Sequence, residues 1–264
     1  MNIIVCAKQT PNTEKVKFDP VTHVLQRAGV ENIMNPFDRQ ALEVALTLKD
    51  KFGGKVTVLS MGLPQAVDIL KDAISVGADE AILLSDSTLG GSDTLATSMS
   101  LAAAIKKIGD YDLILCGKQA VDGDTAQVGP EIAEHLGIPQ ITNALSLTFE
   151  NDKFVAEREN ESMATTLACA APLLVTVSKS EKEPRFASIK GKMKARKAQI
   201  PTWTAADIGM DAAVVGLKGS PTKVKKAFTP EPPTLNPEII KEADVDVAVD
   251  ILFNKLVEAG LITK

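Results

Sequence analysis

The sequence predicts an α/β fold, a doubly wound and mostly parallel sheet, from three observations. Its first 140 residues alternate short apolar runs with segments of helical period. The apolar runs lack polar alternation, as strands covered on both faces do. Glycine closes most of the helical segments, where the chain turns back toward the next strand.

Taken in order, "NIIVCAK" is the first strand, and "NPFDRQALEVALTLKDKFGG" a helix with Ala41, Leu42, Ala45, Leu46 and Leu48 along its apolar side. "KVTVLSMG" is a strand, followed by the helix "LPQAVDILKDAISVGA", which carries Val67, Leu70 and Ile74 on one face. "EAILLSD", "SDTLATSMSLAAAIKKIG", "DLILCG" and "TAQVGPEIAEHLG" repeat the pattern twice more, the last helix being expected to begin at Thr125. After Pro139 the rhythm changes. "ITNALSLTFENDKFVAERENES" alternates around "END" as antiparallel strands do, and "PLLVTVSK" is one more buried strand. "PTKVKKAFTPEPPTLNPE" is rich in proline and reads as an extended arm. The chain then gives a final helix with Val249, Leu252, Phe253, Leu256 and Val257 in one stripe, its acids early and its lysines late. The organisation expected is a nucleotide-binding α/β domain over 1–220 and an arm with its helix over 221–264. That last helix docks either on its own domain or on a second protein.

Composition excludes several functions. With one Trp, one Tyr and eight Phe, the chain lacks stacking platforms for single-stranded nucleic acid. A net charge of −5 gives no general attraction to nucleic acid or to anionic membranes. No apolar stretch approaches the roughly 20 residues that cross a bilayer. The start "MNIIVCAKQT" reads as a strand rather than a secretory signal, so a cytoplasmic location is expected. Cys6, Cys116 and Cys169 lie in or at the end of apolar runs without CxxC spacing, and are expected to pack. His23 and His135 have no metal-binding context, and no Ser/His/Asp arrangement is visible.

Doubly wound sheets take ligands at the carboxyl ends of their strands. Two loops there carry glycine immediately before a helix: "STLGGSDTLATS", with Gly90, Gly91, Ser92 and Thr94, and "GKQAVDGDTAQVGP", with Gly117 and Gly123. The first amides of a helix lack internal partners and attract phosphate, so two such loops on one edge span the phosphates of a dinucleotide. Neither is a GxGxxG or P-loop signature. Asp122 and Asp124 would repel phosphate unless they face away, cap amides or meet a ribose hydroxyl. For Asp124 turn formation is the preferred reading. "LGGSDT" also resembles the SGGxDS loop of adenylating ligases, although it follows the third strand and not the first.

Four stretches carry a resemblance over nearly the whole chain: "NPFD" at 35–38, "GKQAVDGDTAQVGP" at 117–130, "EREN…PLLVTV" at 157–177 and "EPRFASIKGKMKARK" at 183–197. Together they resemble the beta subunit of electron transfer flavoproteins. The resemblance implies an adenine-nucleotide alpha-hydrolase-like fold paired with a flavin-carrying alpha subunit. It implies AMP in housekeeping members and a second FAD in electron-bifurcating ones. "GGSDTLATS" and "DGDTAQVGP" resemble the bifurcating branch; "ENES" after Arg158 departs from the glycine-rich run of the family signature. Carried over residue by residue, the implied nucleotide contacts are Cys6, Ala7, Asn35, Pro36, Phe37, Asp38 and Val58. To these the loop adds Gly117, Lys118, Gln119, Ala120, Val121, Asp122, Gly123, Asp124, Thr125, Ala126, Gln127 and Val128. Gly91, Thr94 and Thr97 are the implied contacts on the flavin side.

Residues 179–197 hold eight Lys or Arg against two Glu, leaving −11 on the rest of the chain. The run reads either as a solvated face or as a docking site. The resemblance makes 183–197 a recognition loop that grips a dehydrogenase through Ile189. The function implied is a redox subunit without catalytic residues of its own. NADH delivers hydride to its FAD, and electrons part to ferredoxin or flavodoxin and, through the alpha subunit's FAD, to an acyl-CoA-type or other dehydrogenase. Alternatives are a housekeeping carrier with structural AMP, an AMP- or ATP-binding regulatory module, and an adenylating ligase.

Overall fold

The computed structural model describes residues 1–12, 17–18, 25–26, 31–160, 163–178, 182–225 and 237–263. His23 and most of the proline-rich arm lie outside them. The chain divides into two compact units, Met1–Lys223 and Val224–Lys264.

The first unit begins with β1 (Asn2–Cys6), β2 (Gln9–Pro11), β3 (Lys17–Phe18), β4 (Leu25–Gln26) and β5 (Asn32–Met34). Then follow α1 (Pro36–Phe52), β6 (Lys55–Met61), α2 (Val67–Val76), β7 (Glu80–Leu84), α3 (Thr94–Ile108), β8 (Leu113–Gly117) and α4 (Val128–Leu136). The remainder comprises β9 (Gln140–Glu150), β10 (Lys153–Asn160), β11 (Met163–Cys169), β12 (Leu173–Val177), α5 (Ile189–Lys197), β13 (Thr202–Trp203) and α6 (Gly216–Gly219). The second unit contains α7 (Val245–Glu258), which buries none of its residues.

Nine strands form one sheet in the order β11-β10-β9-β12-β8-β1-β6-β7-β13. From β9 to β13 all neighbours are parallel, while β9, β10 and β11 form the antiparallel extension. The fold class read from the sequence is therefore the one observed. Strand alternation sends Ile3, Val5, Val56 and Val58 to a core under α1 and α2. Ile4, Cys6, Leu59 and Ile114 face the opposite core, under α3 and α4. Two covered faces explain why the strands are apolar throughout. The hairpin between β9 and β10 turns through Asn151 and Asp152, both at positive φ, which these side chains tolerate better than most.

Candidate functional site

Adjacent in the sheet, β1 and β8 send the chain to opposite faces, to α1 after β1 and to α4 after β8. The connections therefore part at their carboxyl ends, the place where sheets of this kind form a crevice that takes ligands. The start of α1 fixes its form. Asn35 is fully buried and stands at the N-cap, yet its side chain does not cap the helix. Its Nδ2 donates to the Gln119 carbonyl at 2.8 Å and its Oδ1 accepts from the Val121 amide at 3.1 Å. Asp38, also buried, accepts from the Lys8 amide at 2.7 Å and the Gly117 amide at 3.0 Å. One helix start thus ties the end of β1 to the end of β8 and to the loop beyond. Burial raises the Asp38 carboxyl to about 7, against the lowering pull of hydrogen bonds from Lys8, Asn35 and Gly117. Gly117 is required sterically: an added Cβ would lie 2.3 Å from Asp38 Oδ1 and 2.7 Å from the Asp38 amide nitrogen.

The loop beyond Gly117 is where the structure departs from expectation. Thr125 does not begin the helix; α4 starts at Val128, after Gln127, which makes no side-chain cap. The reason is the backbone, since Asp124 and Ala126 have φ of 57° and 55°, outside the right-handed helix. Among the described residues, the amides of Thr125, Ala126 and Gln127 donate to no protein group, and those of Val128 and Gly129 precede the helix ladder. Successive free amides around left-handed residues form a concavity suited to an anion. Gly129 lets α4 approach the sheet, because a Cβ there would lie 2.6 Å from Thr176 Cγ2. The acids of the loop do not oppose this. Asp122 is paired with Lys8 Nζ at 2.7 Å, and the Asp124 carboxylate accepts from the Gln119 side-chain amide. Asp124 thus stands at positive φ in the loop with its carboxylate held by Gln119.

The loop before α3 is built differently. Asp93 caps the helix by accepting from the Ala96 amide at 3.1 Å, and its second oxygen accepts from the Thr222 amide and hydroxyl. Partial burial works against ionisation of Asp93, but these bonds outweigh it and hold the carboxyl below its ordinary range. The segment Val215–Thr222 straps the loop: the Leu217 amide donates to the Gly90 carbonyl at 3.2 Å, and the Asp93 amide donates to Ser220 Oγ at 2.8 Å. Gly91, at φ 73°, leaves the space that Leu217 fills, a Cβ there falling 2.6 Å from Leu217 Cγ. The two loops meet at Thr94, whose hydroxyl lies 3.3 Å from Gln127 Oε1 and 3.2 Å from Glu131 Oε1. The other oxygen of Glu131 is buried without a partner among the described residues. Thr97 follows on the first turn of α3, half-buried.

Cys6 and Ala7 are buried at the end of β1, and Val58 is enclosed in the core inside β6. Pro36 is exposed at the crevice rim, Phe37 half-buried beside it, and Lys118 continues β8 by donating its amide to the Val177 carbonyl. Cys6 and Cys116 are free, buried and in register on adjacent strands; the neighbouring Cys6 thiol, together with burial, pushes the Cys116 thiol up. Ile189 stands apart from the crevice as the first residue of α5, so nine residues of the expected loop 183–197 are helical. Sequence reading missed Lys8, the ion-pair partner of Asp122, although it follows two singled-out residues directly. It also missed the strap, because nothing in "VGLKGSPT" marks a contact with residues 127 to 129 positions earlier.

A family model described as the electron transfer flavoprotein domain matches residues 22–208. The chain is 51% identical to the electron transfer flavoprotein subunit beta of Megasphaera elsdenii, over 99% of this chain and 100% of that one. It is 43% identical to the caffeyl-CoA reductase-Etf complex subunit CarD of Acetobacterium woodii, over 99% and 100%. Against the protein FixA of Bradyrhizobium diazoefficiens the identity is 42%, over 96% and 91%.

Proposed function

The chain belongs to the electron transfer flavoprotein family as a beta subunit, and on that premise we propose that its crevice binds FAD in an electron-bifurcating complex. The observation that carries the reading is the row of amides from Thr125 to Gly129 that, among the described residues, meet no acceptor, in the loop that Asn35 holds beside the Asp38 clasp. This donor set fits the phosphates of an adenine nucleotide. When bound, FAD would supply the redox chemistry, acceptance of hydride from NADH and release of its electrons one at a time.

The chain's own part is placement. Asn35 and Asp38 hold the loop's backbone, Lys8 neutralises Asp122, and Gly117 permits the close approach of β8 to α1. Thr94 joins the two loops; Gly91, Thr94 and Thr97 would hold the flavin half, and the residues at the ends of β1 and β8 the adenosine half. Similarity to a subunit of the caffeyl-CoA reductase-Etf complex supports the bifurcating branch. The electrons leave to ferredoxin or flavodoxin and, through the FAD of the alpha subunit, to a flavin-dependent dehydrogenase that docks at Ile189. The arm and α7 cover a surface of the alpha subunit. The complex works in the cytoplasm.

The test is the nucleotide released by acid from the purified heterodimer. Two FAD per heterodimer supports this reading. One FAD with one AMP makes the chain a housekeeping carrier, and adenine nucleotide without flavin makes it a regulatory module.

A further inference from the structure

Three large apolar side chains of one segment stand in solvent: Phe186 is 96% exposed, Ile189 82% and Met193 55%. Lys190, Lys192, Lys194, Arg196 and Lys197 surround them on α5. A mobile segment would lose much of what such a patch offers a partner, because ordering it on contact opposes binding. This segment is held at two points before any partner arrives.

The first is Arg185, one residue before Phe186. Its amide donates to Glu43 Oε2 at 2.9 Å, its Nε donates to the same carboxylate at 3.0 Å, and its Nη2 reaches Glu43 Oε1 at 2.9 Å. Its Nη1 pairs with Asp50 at 2.9 Å, and its carbonyl accepts from Arg39 Nη2 at 2.9 Å. Arg39 in turn pairs with Asp72 on α2. The amide, carbonyl and guanidinium of one residue are therefore all fastened to α1 or through it. The second point is α5 itself. Ser188 caps it, Lys194 Nζ donates to the Ala78 carbonyl at 3.0 Å, and Gly191 lies so close to α2 that a Cβ would come 2.0 Å from the Ser75 carbonyl. Phe186 and Ile189 project from the span between these two points.

Glu43 is only 4% exposed. A buried ion pair contributes little to stability compared with apolar residues of the same shape, and its best-attested use is to specify one arrangement. We propose that Glu43 and Arg185 are positioning residues for partner docking. They fix Phe186 and Ile189 in the geometry that an apolar pocket with an acidic rim on the dehydrogenase receives. The proposal rests on the docking role given to Ile189 above, and charge complementarity names the occupant: a basic helix around an apolar patch calls for an acidic surface.

The experiment uses the complete heterodimer with an acyl-CoA dehydrogenase as electron acceptor, and reads the acceptor concentration at half-saturation. Ile189→Ala is expected to raise it by one to two decades, on the order of a lost apolar contact. Glu43→Gln, which keeps the volume but removes the charge, should raise it about tenfold and speed amide exchange at 184–190, with nucleotide content unchanged. Because Glu43 acts through the patch, the double variant should be weaker than wild type by clearly less than the product of the two factors. A merely structural role would leave the effects independent. Should Glu43→Gln fail to fold, Arg185→Lys, which keeps the charge but loses the fork, is expected to give the same shift and decides in its place. If Ile189→Ala weakens docking and Glu43→Gln does not, or if the two factors multiply, the positioning role is wrong and the docking reading stands. If neither substitution moves half-saturation, the docking reading itself fails.

Discussion

The loops that precede α3 and α4 look alike in sequence, each with glycine and acid ahead of a helix, but they treat the helix start in opposite ways. Before α3, Asp93 places its own carboxylate on the Ala96 amide, and the strap from Gly216 to Thr222 closes over the turn. Before α4, no side chain caps, two non-glycine residues adopt positive φ, and the amides of 125–127 meet no acceptor among the described residues. The first loop has already satisfied the group that would attract an anion; the second has not. Glycine means something different in each. Gly91 makes room for Leu217, whereas Gly117 makes room for the Asp38 clasp, and Gly123 has nothing within 4 Å of an added Cβ.

Substitutions at these positions separate the two loops, beginning with the clasp. Gly117→Ala sets a Cβ against the backbone of α1, which cannot yield as a flexible side chain can. A loss of about 3 kcal/mol or more is expected in denaturant unfolding, together with loss of bound nucleotide. Gly123→Ala is its control and should stay within about 0.5 kcal/mol. A similar loss from both would mean that glycine serves flexibility alone.

Asp38→Asn tests the charge of the clasp. An asparagine places a donor against the Lys8 or Gly117 amide, an expected cost of about 1–3 kcal/mol. The folded protein keeps the Asp38 proton up to about pH 7, whereas an unfolded Asp releases it near 3.8. Between those values the folded state binds more protons, so the contribution of Asp38 to stability falls as pH rises through that window and is level above it. The penalty of Asp38→Asn should therefore be larger at pH 5 than at pH 8. Unfolding curves at the two pH values measure it, and a penalty that grows with pH would contradict the assignment.

Gly91→Ala should have the smaller effect, about 1–2 kcal/mol, from positive φ and the displaced Leu217. Leu217 is largely exposed and can swing aside. In a Leu217→Ala background only the backbone part, about 1 kcal/mol, should remain.

Much of the fold is legible because it depends on local pattern. The four strand-helix units of the first 140 residues show as apolar runs and helical stripes, and the hairpin shows at Asn151 and Asp152. β11 is hidden because "MATTLAC" is mostly small and lacks a regular apolar alternation, an edge strand recruited by pairing with β10. The helical character of α5 is hidden because its face is cationic and carries a glycine; it is fixed by Ser188 and by packing on α2. The start of α4 was misread since positive φ at Ala126 is imposed by the loop and leaves no mark in the sequence. Resemblance pointed to Asn35 and Asp38, but their work as a clasp joins residues some 80 positions apart and required the structure.

The comparison of the two loops comes to its most direct test at Thr94, where they touch. The measurement is FAD and AMP released by acid from the heterodimer, for the unmodified protein and for Thr94→Arg, which adds bulk on the flavin side. The account predicts two FAD and no AMP in the unmodified protein, and in Thr94→Arg a fall from two FAD toward one with AMP able to enter. Two FAD retained in Thr94→Arg, or AMP in the unmodified protein, would contradict it.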